Sequence, residues 1–223
     1  MTTAMATCIF MPQNADRLTL MQYLSPAFPV GSYAYSQGLE QAITDGDVAD
    51  PASLSAWITA VLTHGSARMD AILLAHGRST PADLADLADL ALAYASSHER
   101  QTEMREQGAA FGQVIATVTG QSPPVLPYAL ALAYATRPLS LPTAEVLALY
   151  LHAIAAQLVS VAVRFVPLKA ADGQKLLSDL APLITRLAET CATQPLTALS
   201  SATLGADLAQ MRHETLDVRI YRS

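Results

Sequence analysis

The chain has 223 residues, of which 52% are hydrophobic and 14% charged, with a formal net charge of −6. This length suits one sizeable domain, and so large an apolar fraction fills a core and leaves apolar surface for other proteins. The lysines and arginines form no run or stripe, which excludes the basic footprint of a nucleic-acid binder.

Cys8 and Cys191 lie far apart, forming neither a disulfide framework nor a zinc pattern, and fit a reducing compartment. The N-terminus has no basic region leading into an apolar stretch and cleavage site, so no secretory signal is read. The most apolar stretch, Ala153 to Leu168, is interrupted by Gln157 and Arg164 and is too short to span a bilayer. The expectation is a cytoplasmic protein with no membrane partner.

Helical periodicity dominates, so the fold class is read as all-α: one domain over 1–223, a bundle of about eight to ten helices. Residues 1–15 are expected to be flexible. A first helix covers Asp16 to Leu24 and a second Ser36 to Asp45, closed by Gly46. Asp50-Pro51 caps and opens a third, whose stripe is Leu54, Trp57, Ile58, Val61 and Leu62. A break near Gly65 precedes a further helical stretch to about His76.

Thr80-Pro81 opens the next helix, with Asp83 in its first turn and Leu84, Leu87, Ala91 and Tyr94 facing inward. A long helix spans His98 to Thr119 and stops at Gly120. A short one ends near Thr136. Ser140 and Pro142 start another to about Phe165, apolar nearly all round from Val146 to Val163, as a central helix should be. Asp172 is expected to cap a last long helix with Leu176, Leu177, Leu180, Ile184 and Leu187 inward, kinked or divided at Pro182. A final turn or two, Leu204 to Met211, leads into a polar tail, 212–223.

Several chemistries are missing. No GxxxxGK[ST] loop is present, so nucleotide binding is not expected. Ser32 and Ser36 lack the spacing and the strand-to-helix turn of a nucleophile elbow. The five histidines (His64, His76, His98, His152, His213) show no paired ligand spacing, so no metal and no cofactor are assigned. His152 reads as a hydrogen-bonded core histidine, and His64 and His76 as residues near helix C-termini. Glu99, Arg100, Glu103, Arg105 and Glu106 read as a solvated, ion-paired helix face, with a partner-docking patch as the alternative.

Three segments depart from generic bundle sequence. In Ser25 to Glu40 (SPAFPVGSYAYSQGLE), two prolines and two glycines among aromatics specify a defined loop. The second runs Ala162-Val163-Arg164-Phe165-Val166-Pro167-Leu168 and then Asp172-Gly173-Gln174. The third is Met211-Arg212-His213-Glu214-Thr215 through Arg219-Ile220-Tyr221-Arg222-Ser223. In order and spacing these closely resemble segments of the UreF family of urease accessory proteins. There are departures: Lys169-Ala170-Ala171 replaces the usual glycine-glutamine-small-polar stretch, Leu216-Asp217-Val218 a more polar one, and Ile220-Tyr221 a leucine-phenylalanine.

The resemblance implies an all-α, homodimeric, non-enzymatic chaperone of nickel insertion. It would bridge UreD (also called UreH) and the GTPase UreG, acting with them on apo-urease. It assigns UreD/UreH contact to Arg212, His213, Glu214, Arg219, Tyr221 and Arg222 in a tail ordered mainly on binding. It assigns UreG or dimer contact to Tyr33, Tyr35, Ser36, Glu40, Arg164 and Gln174. A generic helical adaptor unrelated to urease, or a small helical hydrolase, are the alternatives in other classes.

Overall fold

A computed structural model describes residues 12–79, 84–166 and 168–222. Cys8, the Thr80-Pro81 start with Asp83, Pro167 and Ser223 lie outside them. The described residues form α-helices and short 3-10 turns, with no strand among them, so the fold is all-α. In chain order the helices are α1 (Pro12–Tyr23), α2 (Leu39–Thr44), α3 (Pro51–His64), α4 (Ser66–Ser79), α5 (Leu84–Ala93), α6 (His98–Thr119), α7 (Tyr128–Thr136), α8 (Thr143–Phe165), α9 (Ala170–Cys191) and α10 (Leu204–His213). The first begins four residues before Asp16, and the second starts only at Leu39 because Gln37 and Gly38 both take positive φ, 54° and 79°.

Local signals set most boundaries. Asp50 accepts the Ser53 N–H at 2.8 Å while Ser53 Oγ accepts the Asp50 N–H at 3.1 Å, a closed capping box with Pro51 at the first helical position. Ser97 caps α6 by accepting the Arg100 N–H, and Gly120 ends it in the left-handed region. Asp172 acts from inside the first turn of α9, accepting the Lys169 N–H at 3.2 Å, and is not the cap itself. Ala170 and Ala171 simply open that helix, so the departure at 169–171 needs no positive φ. Contrary to a division at Pro182, α9 runs unbroken through it.

α8 is the axis of the bundle. It packs against α9, α4, α3 and α2, and α7 lies between α4 and α6. By length and apolarity alone α8 could cross a membrane, but 56% of its most apolar window is buried within the protein. Side chains such as Val146, Leu147, Leu151 and Leu158 are closed off from solvent, each contributing about 1.5–3 kcal/mol by transfer. Leu84, Leu87 and Ala91 point inward as expected, whereas Tyr94 is exposed. Edge-to-face and tilted ring contacts run from Tyr23 and Phe28 through Phe111 to Tyr128 and Tyr150, tying α1 and its following loop to α6, α7 and α8.

Candidate functional site

The Ser25–Glu40 loop and the C-terminal tail, remote in sequence, meet over the N-terminal half of α6. Gly31 and Gly38 adopt positive φ and turn the loop around a 3-10 turn at Ser32–Ala34. A Cβ at Gly38 would stand 2.8 Å from the Gln210 nitrogen, so glycine lets the loop lie against α10. Tyr35, Ser36 and Glu40 are thereby buried.

Glu40 is the hub. Its two oxygens accept the backbone N–H groups of Ile220 at 2.9 Å and Tyr221 at 3.0 Å, and Oε2 also faces His213 Nε2 at 2.9 Å. His213, fully buried, turns its other nitrogen to Glu99 Oε2 at 2.8 Å. Arg219 donates to the second Glu99 oxygen at 2.7 Å. Further along α6, Glu106 pairs with Arg222 at 2.7 Å and accepts the Tyr35 hydroxyl, while the Arg222 guanidinium lies over the Tyr35 ring. Burial first, then the Glu106 carboxylate, raises the Tyr35 pKa, keeping it a donor. The Tyr35 hydroxyl and Arg222 together lower that of Glu106. Glu214 accepts the His98 N–H at 2.7 Å and that of Glu99 at 3.3 Å, satisfying orphan donors at the start of α6.

The tail, expected to order mainly on a partner, is thus held by its own chain. Tyr221, assigned as an aromatic anchor for a partner, is buried with its ring 5.6 Å from that of Phe165, and His213 is enclosed as well. Both reach a partner only if the tail leaves. The outward groups are Arg212, Arg219, Arg222, Val218 and Ile220, the last two 80% and 70% exposed. Of the second set, Tyr35, Ser36 and Glu40 belong to this same site, whereas Tyr33, Arg164 and Gln174 are exposed elsewhere.

Beneath the clasp lies a second polar cluster where a solvated helix face was expected. Arg100 and Glu103 are 6% and 1% exposed. Arg100 donates to Glu103 at 2.7 Å and to Asp70, Tyr150 donates to Asp70 at 2.9 Å, and Gln37 and Gln107 each donate to Glu103 at 3.0 Å. Burial raises the Asp70 pKa, with Arg100 and Tyr150 pulling it back. Burial acts against the Arg100 charge, but Glu103 and Asp70 outweigh it and the guanidinium stays protonated. The pairing of Gln37 with Glu103 anchors the loop in the core. Among the described residues no group of three metal-ligating side chains is placed to hold an ion.

Beside the clasp a mostly apolar groove of about 470 Å³ runs along α8, bounded by Met21, Pro26, Tyr33, His152, Arg164 and Tyr221. Among the described residues no carboxylate lines it. His152 is exposed on its wall, which corrects the core position expected from its apolar helix: the neighbours at 151, 154 and 155 are buried, and 152 falls on the outer face.

One expected consequence concerns the hub. Glu40→Ala removes an acceptor shared by three donors, so the tail should detach while the bundle persists. Amide exchange of residues 216–222 should rise at least about tenfold with little change in helicity, as expected when charge-assisted bonds each contribute about 1.5–3 kcal/mol. Unchanged tail protection would show that Glu40 does not hold it.

Fold and site together define an all-helical protein whose N-terminal loop and C-terminal tail join into one surface. The chain belongs to the UreF family: the UreF family model matches residues 48–181. Proteins called urease accessory protein UreF extend the similarity over most of the chain. That of Cereibacter sphaeroides is 54% identical over 210 residues, covering 94% of this chain and 100% of the relative. Those of Paracoccus denitrificans and Dinoroseobacter shibae are 47% and 45% identical, each over 94% of this chain and 97% and 99% of the relative. The adaptor unrelated to urease gives way to this relationship.

Proposed function

We propose that this chain, as a cytoplasmic homodimer without catalysis of its own, bridges UreD/UreH and the GTPase UreG so that nickel is delivered to apo-urease. Family membership supports the urease-maturation setting, and the resemblance supplies the partners. The observation that carries the residue-level reading is the docked tail. It offers Val218 and Ile220 outward beside the partly exposed cations Arg212, Arg219 and Arg222, on a chain of net charge −6. Apolar side chains rimmed by arginines suit a protein interface, since arginine makes bidentate contacts and its stem packs against apolar surface.

In this reading the tail surface receives UreD/UreH. Tyr35, Ser36, Glu40, His213 and Tyr221 set the shape of that surface from beneath, and exposed Glu214 borders it. Tyr33, Arg164 and Gln174 remain the outward candidates for UreG or the second copy. Because His213 is part of the buried fabric, the informative deletion starts after Glu214 and spares α10. A chain lacking residues 215–223 should fail to co-purify with UreD/UreH while its circular dichroism stays that of the intact bundle. Retention of UreD/UreH by the shortened, folded chain would place the contact elsewhere.

A further inference from the structure

We propose that the outward stripe of α10, made of Leu204, Leu208 and Met211, is a docking helix that seats in an apolar, carboxylate-rimmed groove of UreD/UreH. This assignment of α10 rests on the reading of the tail as the UreD/UreH surface, which supplies the identity of the partner.

α10 is inverted for a helix held by the hydrophobic effect. A surface helix normally turns its large apolar side chains to the core and its polar ones to water. Here the buried positions are Ala206, Ala209, Gln210 and His213, two small side chains and two polar ones. The large apolar residues point the other way: Leu204 is 71% exposed, Leu208 38% and Met211 46%. Their spacing of four and three puts all three in one narrow stripe along the helix.

The inward face fixes this register. Gln210 donates to the Gln37 carbonyl at 3.3 Å and accepts the Ser96 hydroxyl at 2.8 Å, and His213 lies between Glu40 and Glu99. Gly38 comes so close to the Gln210 backbone nitrogen that a Cβ there would stand 2.8 Å away. Turning the stripe inward would break these bonds and place bulk where backbone meets backbone. Polar bonds and close approach therefore fasten α10, and its three largest apolar side chains contribute little to the fold. Anchors at i, i+4 and i+7 are the pattern by which an amphipathic helix enters an apolar groove of another protein.

Charge selects the partner. Arg212 follows the stripe directly, its side chain 63% exposed and 3.6 Å from Asp45. Arg219, 42% exposed, stands at the same end, on the Glu99 that also faces His213. A second copy would bring the same arginine-bearing patch to an isologous contact, where like charges oppose each other. A groove rimmed by carboxylates answers both the stripe and the arginines. The stripe also leads straight into the tail, where Val218 and Ile220 are 80% and 70% exposed, so one partner spanning α10 and the tail covers both sets.

The test measures the affinity of the full chain for purified UreD/UreH. Glutamine replaces each stripe residue because it keeps helix propensity while removing the apolar end. Leu204→Gln, Leu208→Gln and Met211→Gln together should weaken binding at least about a hundredfold, and Leu208→Gln alone about tenfold, as expected of interface anchors. Circular dichroism and melting should stay those of the wild type, since exposed positions carry little of the stability. Should the triple variant fail to fold, Leu208→Gln decides. Unchanged affinity in the folded variants would overturn the inference. So would variants that keep UreD/UreH but turn a dimer of the chain into monomers in sedimentation, because the stripe would then belong to a second copy. The chain lacking residues 215–223 separates the two readings. If it loses UreD/UreH while the stripe variants keep it, the docking helix falls and the tail reading stands. If it keeps UreD/UreH while the stripe variants lose it, the tail reading falls and α10 is the dock. A wild-type chain that binds no UreD/UreH overturns both.

Discussion

Replacing Arg100 with methionine is expected to cost the fold about 3–5 kcal/mol near neutral pH, because it strands two buried carboxylates. The guanidinium is the only cation in contact with Asp70 and Glu103 among the described residues, and all three side chains are at most 8% exposed. For a chain of this size the loss corresponds to a fall in melting temperature of roughly 6–20 °C. The pH dependence has a definite sign. Burial already raises the Asp70 pKa, and removing Arg100 deletes a main opposing effect. In the variant the folded state then holds protons more tightly than the unfolded state, so its stability falls as pH rises from the unfolded carboxylate range through the raised folded value. The deficit against wild type should shrink on acidification towards about pH 5, and largely vanish when Asp70→Asn and Glu103→Gln accompany Arg100→Met. Denaturant unfolding at two pH values checks this. A small deficit, indifferent to pH, would mean the cluster is open to water.

The second large effect is steric. A Cβ at Gly108 would sit inside the contact distance of the Leu126 carbonyl oxygen and 3.0 Å from the Leu126 and Pro127 carbonyl carbons. The obstacle is backbone at the entry to α7, which has no rotamer to change, so α6 and α7 must separate. Gly108→Ala should therefore cost about 3 kcal/mol, at the upper end of overpacking penalties. Gly112, one turn along the same helix, is the control: a Cβ there meets Pro123 Cγ at an ordinary 3.6 Å. Gly112→Ala should be neutral or stabilise by up to about 1 kcal/mol through helix propensity. Equal effects at the two positions would refute the close approach.

These two sites show what was legible in the sequence. Helix ends were, because Asp50-Pro51 and Gly120 act locally. The inward stripe of α9 was, because Leu176, Leu177, Leu180 and Ile184 repeat at helical spacing and are buried. The polar interior was not. Arg100 and Glu103, buried among the charged residues that open α6 while Glu106 is exposed, read as part of a solvated helix face until their partners are known. Gln37 reaches Glu103, Arg222 reaches Glu106 and Asp70 reaches the neighbouring Arg100, all from distant segments. Periodicity within one helix carries no trace of them. The outward turn of His152 makes the same point in reverse: an apolar helix still has an outer face.

The loop and tail segments were legible as special, but not as one object. The resemblance sets Tyr35 and Glu40 apart from Arg219, Tyr221 and Arg222 as surfaces for different partners, yet the structure joins them through Glu40 and Glu106. The tail also ends on backbone, with the Arg222 N–H bonded to the Ala34 carbonyl at 2.7 Å. A pairing that uses main-chain groups leaves no mark in residue type.

The central claim is that this chain bridges two partners in urease maturation. Its most direct test is the composition, by native mass spectrometry, of the species formed when the intact chain is mixed with UreD/UreH and UreG, with GTP and nickel. A single species containing all three proteins is predicted, with UreG absent when this chain is omitted. A chain that stays apart from both partners, under conditions where the Cereibacter sphaeroides relative joins them, would contradict it.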